Sequence, residues 1–293
     1  QKFKKKLRWS EKEKWFGCGG MGILMYAVTS NEIYVVQELL HSLFENFQGS
    51  EYTLRLESRV RNEGYISLGV PGGATTLMSA MMVASPEVVL MLLESGANVE
   101  SVDVWGGDCM MYAATYNRLD NIKVWLSQFP TWKFSRGSTV NGSTALHCAV
   151  YFGQNKLNTV RLLVESGVDI FARNDGGASI VMNSADNEDS DPSVLRYLLR
   201  VLKSVYSKES LISELNRRRR AKSLKWKAIY TVSKGLHRMG ISKTGLMENL
   251  AAESGTAALN YAVRRGDVEI VKILLENGAD PYVENDLGMN AFD

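Results

Sequence analysis

The sequence predicts an all-α solenoid, a row of helix-turn-helix units joined by extended hairpin fingers. Three observations point there. Glycines recur in register at Gly20, Gly73, Gly106, Gly142, Gly177, Gly255 and Gly288. After the clearest of them runs a short apolar stripe at i, i+3, i+4, such as Leu146, Ala149 and Val150, or Leu259, Ala262 and Val263. A second apolar segment then closes on a Leu-Leu-Glu-x-Gly-Ala pattern, strong at Leu92–Asn98 and Leu274–Asp280 and recognisable at Leu163–Asp169.

The glycine spacings are 53, 33, 36, 35, 78 and 33 residues, so the two long ones read as one period plus an insertion. The unit from Gly255 is the most regular. The unit from Gly142 carries two extra residues near Gln154, and the unit from Gly73 keeps the frame. Those from Gly106 and Gly177 are degenerate, the one from Gly20 is the first, and GMNAFD from Gly288 begins another. In each unit a first helix with a small central alanine lets neighbours approach. The second, as in DVEIVKILLENG, presents Val268, Ile270, Val271, Leu274 and Leu275, and Gly278 suits a left-handed helix end. No unit buries its apolar face alone, so stacking builds the core.

The chain divides into a basic lead-in at 1–19, repeats at 20–202 with an insertion at about 46–70, a basic helical insertion at 203–254, and a repeat plus the start of a further one at 255–293. Beginning at Gln1 and stopping inside a unit, it is expected to be part of a longer protein. Residues 1–14 hold seven Lys/Arg against two Glu, and residues 214–238 hold nine against one. That leaves 18 basic and 29 acidic residues elsewhere, so two basic segments sit on an acidic body. No apolar run approaches the roughly 18 to 20 residues of a membrane span, and no apolar core follows the basic start as a secretory signal requires. Cys18, Cys109 and Cys148 are odd in number and widely spaced, which predicts a reducing intracellular compartment, the cytoplasm.

The pattern G-x-T-x-L-x-x-A at this period resembles ankyrin repeats, whose units carry T-P-L-H-x-A about every 33 residues. The likeness covers roughly residues 20–202 and 255–293. It departs at the turn proline, replaced by Ala145, Thr76 and Ala258, and keeps the histidine once, as His147. The resemblance implies a non-catalytic scaffold that binds a protein partner, within a larger assembly, through a concave face of first helices and fingers. It leaves a second reading open, the regulatory ankyrin region of a longer enzyme or channel.

NGSTALHCAVYFG, Asn141 to Gly153, brings a Thr, a His and a Cys together. The repeat frame assigns Thr144 to a helix cap, His147 to the turn and Cys148 to a packed first helix. The glycine-rich Phe16–Gly22 and Val70–Ala74 lack the GK[ST] ending of a phosphate loop, and NSADNEDSDP lacks the order of a calcium loop. No catalytic residues, metal site or cofactor are expected.

Positions one after the histidine of the motif are Tyr26, Ser79, Tyr112, Cys148, Asn183 and Tyr261, and one turn on lie Ser30, Tyr116, Phe152 and Arg265. With Tyr151 and the finger residues Trp105, Phe171, Arg173 and Tyr282, these supply the aromatics and Arg favoured at interfaces. Partner contact is expected at Tyr112, Tyr116, Tyr151, Phe152, Tyr261, Arg265, Trp105, Phe171 and Arg173. A basic patch is expected at Arg217, Arg218, Arg219, Arg220, Lys222, Lys225, Trp226 and Lys227. That patch fits nucleic acid, anionic lipid or an acidic protein, or docking on the acidic repeats themselves, and charge alone does not choose among them.

Overall fold

The computed structural model describes residues 22–60, 72–152, 156–187, 189, 191–241 and 245–293. The lead-in at 1–19, Cys18, Gly20, Gly153, Gln154 and the far end of the insertion expected at 46–70 lie outside the described residues. The chain forms two compact units, one ending at Trp132 and the other beginning at Lys133.

In the first unit the helix pairs are α1 (Ile23–Thr29) and α2 (Ile33–Asn46), α4 (Thr76–Val83) and α5 (Pro86–Glu94), and α6 (Cys109–Thr115) and α7 (Leu119–Gln128). A short α3 (Gly49–Leu56) packs on α2. First helices stack on first helices, α1 on α4 on α6, with Ala27, Ala80 and Ala113 buried at equivalent positions. Such small residues let helix axes approach to about 8–10 Å. Caps start the helices: Thr75 Oγ1 accepts from Met78 N at 3.3 Å, and Asp108 Oδ1 from Met111 N at 2.9 Å. Just beyond the end of α7, Phe129 and Trp132 close over the buried Trp125, each ring centroid 5.0 Å from it.

The second unit pairs α8 (Ala145–Tyr151) with α9 (Leu157–Glu165), α10 (Ile180–Ala185) with α11 (Pro192–Val205), and α15 (Ala258–Arg265) with α16 (Val268–Glu276). Between α11 and α15 come α12 (Lys208–Leu215), α13 (Leu224–Arg238) and α14 (Gly245–Glu253). The degenerate Gly177 unit stacks in full, because α10 packs on both α8 and α15, and α11 on both α9 and α16. One core runs from Val181, Leu195 and Leu199 to Leu259, Ile270 and Leu274, and Leu211 and Leu215 of α12 join it.

One turn repeats through both units. All six described opener glycines have φ between 68° and 87°, where a side chain would strain the backbone. Ahead of each lies one residue whose N–H donates to the carbonyl just after the glycine and whose C=O accepts from the glycine N–H, at 2.8–3.2 Å: Val60, Asp103, Ser138, Asn174, Arg219 and Asn285. In uninterrupted units that residue stands three or four positions before the glycine. Val60 stands 13 before Gly73 and Arg219 stands 36 before Gly255, and the same turn closes in both interrupted units.

Candidate partner-binding surface

In the first unit Trp105 is 54% exposed, its N–H anchored on Asp103 Oδ1 at 2.7 Å, and Tyr116 is 41% exposed. Tyr112 corrects the sequence expectation. It is buried, and its hydroxyl donates to Asp103 Oδ2 at 2.9 Å. Burial, and then the Asp103 charge, push its pKa far above the usual phenol value. The Tyr112 side chain reaches back to the turn ahead of its own helix rather than out to solvent.

Tyr261 repeats that placement in the second unit. It is 1% exposed, accepts a hydrogen bond from Arg219 Nη1 at 2.5 Å, and burial pushes its pKa up to about 12. It too is withdrawn as a contact residue. Phe152 is 47% exposed and meets the half-buried Tyr151 edge-on at 5.0 Å; Phe171 is 43% exposed and leans on Tyr206 at 5.2 Å. Arg173 is half-buried and ion-paired with Glu214, while Arg265 and Arg264 share Asp186 at 3.2 and 2.9 Å. His147 takes its expected place in the turn. Its Nδ1 accepts from Thr144 N at 3.3 Å, so Nε2 carries the proton and donates to Ala178 O, 3.3 Å away in the next repeat. Cys148, on the same helix, is half-buried.

The basic run is not itself helical. Arg217–Lys222 forms a strap outside any helix, between α12 and α13. Arg219 is 7% exposed; its guanidinium donates to Gly176 O at 3.1 Å and pairs with Glu253 at 3.0 Å. Burial disfavours its charged form, but Tyr261, Glu253 and Tyr230 outweigh that and push its pKa above the usual guanidinium value. Asp286 gathers Arg218 at 2.8 Å, Arg220 at 2.6 Å, Lys234 at 2.7 Å and Ser254 Oγ at 2.6 Å. Arg217 pairs with Glu214 at 3.1 Å, Lys222 donates to Arg173 O at 3.0 Å, and Trp226 Nε1 and Lys225 Nζ reach Val140 O at 3.1 and 3.4 Å; Lys227 is exposed. The four consecutive arginines therefore bind the chain's own acids and carbonyls. The strap also crowds Gly177, where a Cβ would lie 2.0 Å from Arg220 O.

Sequence reasoning missed Asp103, Asn174 and Asn285. Each sits three residues before an opener glycine and accepts, through Oδ1, from the N–H four positions on, at Gly107, Ala178 and Met289, at 2.8–3.0 Å. An Asp or Asn recurring at that one offset was the available signal. Among the described residues no group of three or more His, Cys, Asp or Glu is placed to hold a metal ion, and no helix is long and apolar enough to cross a membrane.

Family models agree with this geometry. The model "Ankyrin repeats (3 copies)" matches residues 77–174 and 110–209, and the single "Ankyrin repeat" matches 254–286, together more than half of the chain. The chain belongs to the ankyrin repeat family. It is 27% identical over 78% of its length to the ankyrin repeat and KH domain-containing protein mask-1 of Caenorhabditis elegans, and 35% identical over 35% to the B-cell lymphoma 3 protein homolog of Mus musculus. A further relative is the nuclear factor NF-kappa-B p105 subunit of Gallus gallus, 23% identical over 86% of the chain. The matches span only 10%, 22% and 20% of those relatives. Among solved structures, the ankyrin repeat domain of Bcl-3 aligns over 93% of this chain and 92% of its own, with TM-score 0.56 and 20% identity. The human ASB11 ankyrin repeat domain aligns over 93% and 91%, with TM-score 0.58 and 15% identity. Both likenesses carry the fold. Ankyrin repeats are protein-interaction modules and as a rule not catalysts.

Proposed function

We propose that this region is a non-catalytic scaffold that binds a protein partner through its fingers and first-helix ends, as one component of a larger cytoplasmic complex. One observation carries the reading: Trp105, Tyr116, Phe152 and Phe171 stand 41–54% exposed on hydrogen-bonded turns and helix ends. Large aromatics held this way present contact area at little cost in ordering entropy, which favours them as anchors of an interface. A relative that is itself a named subunit supports membership of a complex. The small share of the curated relatives that is matched supports a second reading, in which the region is the binding part of a longer polypeptide.

Affinity purification from the source cells, followed by mass spectrometry, tests the proposal. Partners captured by the native chain are lost with Trp105→Ser/Tyr116→Ser or with Phe152→Ser/Phe171→Ser at unchanged thermal midpoint. Retention of every partner by both double variants overturns it.

A further inference from the structure

Between Leu215 and Met247 the sequence contains no Asp or Glu, and α13 lies wholly within that stretch. One side of α13 faces the repeats and α14: Tyr230 and Ser233 are buried, and Trp226 is half-buried on Val140. The opposite side carries a second apolar stripe. Leu224 is 82% exposed, Val232 56% and Met239, at the helix end, 63%, and Ala228 and Gly235 lie between them. At 100° per residue these five positions fall within roughly 80° of one face and run roughly 22 Å along the helix. Lys225 borders the stripe on one side, and Lys227 and Arg238 on the other; all three are exposed, with Lys225 Nζ 3.4 Å from Val140 O and Arg238 Nη2 3.4 Å from Asp286 O, each keeping further donors toward solvent.

Gly235 gives this face a shape. A glycine inside a helix is disfavoured relative to alanine, yet a Cβ here would meet nothing within 4 Å and the residue has no positive φ. Neither backbone conformation nor crowding within the chain calls for it. With Ala228 it leaves a shallow trough between Leu224, Val232 and Met239, the relief into which the side-chain ridge of another helix packs.

We infer that this outer face of α13 is a docking site for an acidic amphipathic helix of a partner protein. The apolar trough takes the partner's leucine-type ridge, and the bordering Lys225, Lys227 and Arg238 meet carboxylates on its flanks. Nucleic acid would draw on the cations and leave the narrow apolar stripe unused. A lipid surface would favour bulky apolar residues where Ala228 and Gly235 stand. The site shares no residue with the finger aromatics, so its failure leaves the scaffold reading standing.

The test uses the full chain and a fluorescein-labelled 18-residue helical peptide with leucines at i, i+3, i+4 and i+7 flanked by glutamates. An isomer of the same composition with scattered leucines, phosphatidylserine vesicles and single-stranded RNA serve as comparators. The amphipathic peptide should bind at least ten-fold tighter than its isomer. Val232→Glu/Met239→Glu should remove that preference at unchanged thermal midpoint, and Gly235→Gln should weaken binding while raising the midpoint. Equal binding of the two peptides, insensitivity to the double substitution, or tighter binding of vesicles or RNA overturns the inference.

Discussion

Arg219 Nη1 donates to the Tyr261 hydroxyl at 2.5 Å, tying the inserted strap to the first helix of the repeat that follows it. The same arginine closes the repeat's turn through its backbone, with Arg219 N on Thr256 O at 2.9 Å and Gly255 N on Arg219 O at 3.0 Å. It stands where Asp103, Asn174 and Asn285 stand in other fingers, and exchanges their side-chain acceptor for a buried cation.

Arg219→Ala therefore strands Glu253 and Tyr261 in a closed site. Breaking a buried charge pair from one side costs about 3–5 kcal/mol. Arg220→Ala, whose side chain is 55% exposed, should cost no more than about 1 kcal/mol. Urea unfolding of the two variants checks the contrast, and equal midpoints would refute the buried role of Arg219.

Asp286 holds the strap and α13 to the last described turn through three cations. Desolvation raises its pKa, but hydrogen bonds from Lys234, Ser254 and Arg220 outweigh that and hold it well below the carboxylate range. With the folded value depressed, its stabilisation is present above the unfolded value near 4 and is lost as pH falls further. Asp286→Asn should remove that acid dependence. It should also speed amide exchange across 224–253 while α10, α11, α15 and α16 stay protected. Unchanged exchange in α13 would show that it is held by other contacts.

The repeat register was legible because its cause is local. Each described opener glycine answers to a positive φ, and each stripe to one helix face. Tyr112 and Tyr261 were misplaced because periodicity gives the angle of a side chain around its helix, while the preceding turn decides whether that angle meets solvent or Asp103 and Arg219. The basic run was legible as charge but not as a strap, since Arg218 and Arg220 find Asp286 68 and 66 residues away. Val60 and Arg219 gave no signal as turn-closing residues, because they act through backbone groups that every residue carries.

His147 makes stability depend on pH in a different window. Burial lowers its pKa to about 4, and it is 1% exposed between Thr144 and Ala178. The unfolded imidazole titrates near 6.5, so its contribution is complete above that value and drains away as pH falls toward 4, by up to about 3 kcal/mol. His147→Gln should flatten the urea midpoint between pH 6.5 and 4 while lowering it at neutral pH. An undiminished slope would place the acid sensitivity elsewhere.

Tyr112 separates core from contact surface most directly. Tyr112→Phe keeps the ring and deletes one donor to Asp103, which retains the N–H groups of Trp105 and Gly107 at 2.7 and 2.8 Å. A single lost hydrogen bond at a buried acceptor costs about 1–2 kcal/mol. Trp105→Ser removes a half-exposed ring from the same turn and should shift stability by only about 0.5 kcal/mol. Thermal and urea midpoints of the two variants, with partner capture measured beside them, should diverge: Tyr112→Phe loses stability and keeps the partner, and Trp105→Ser keeps stability and weakens capture. The reverse pattern would mean that Asp103 serves the partner rather than the turn.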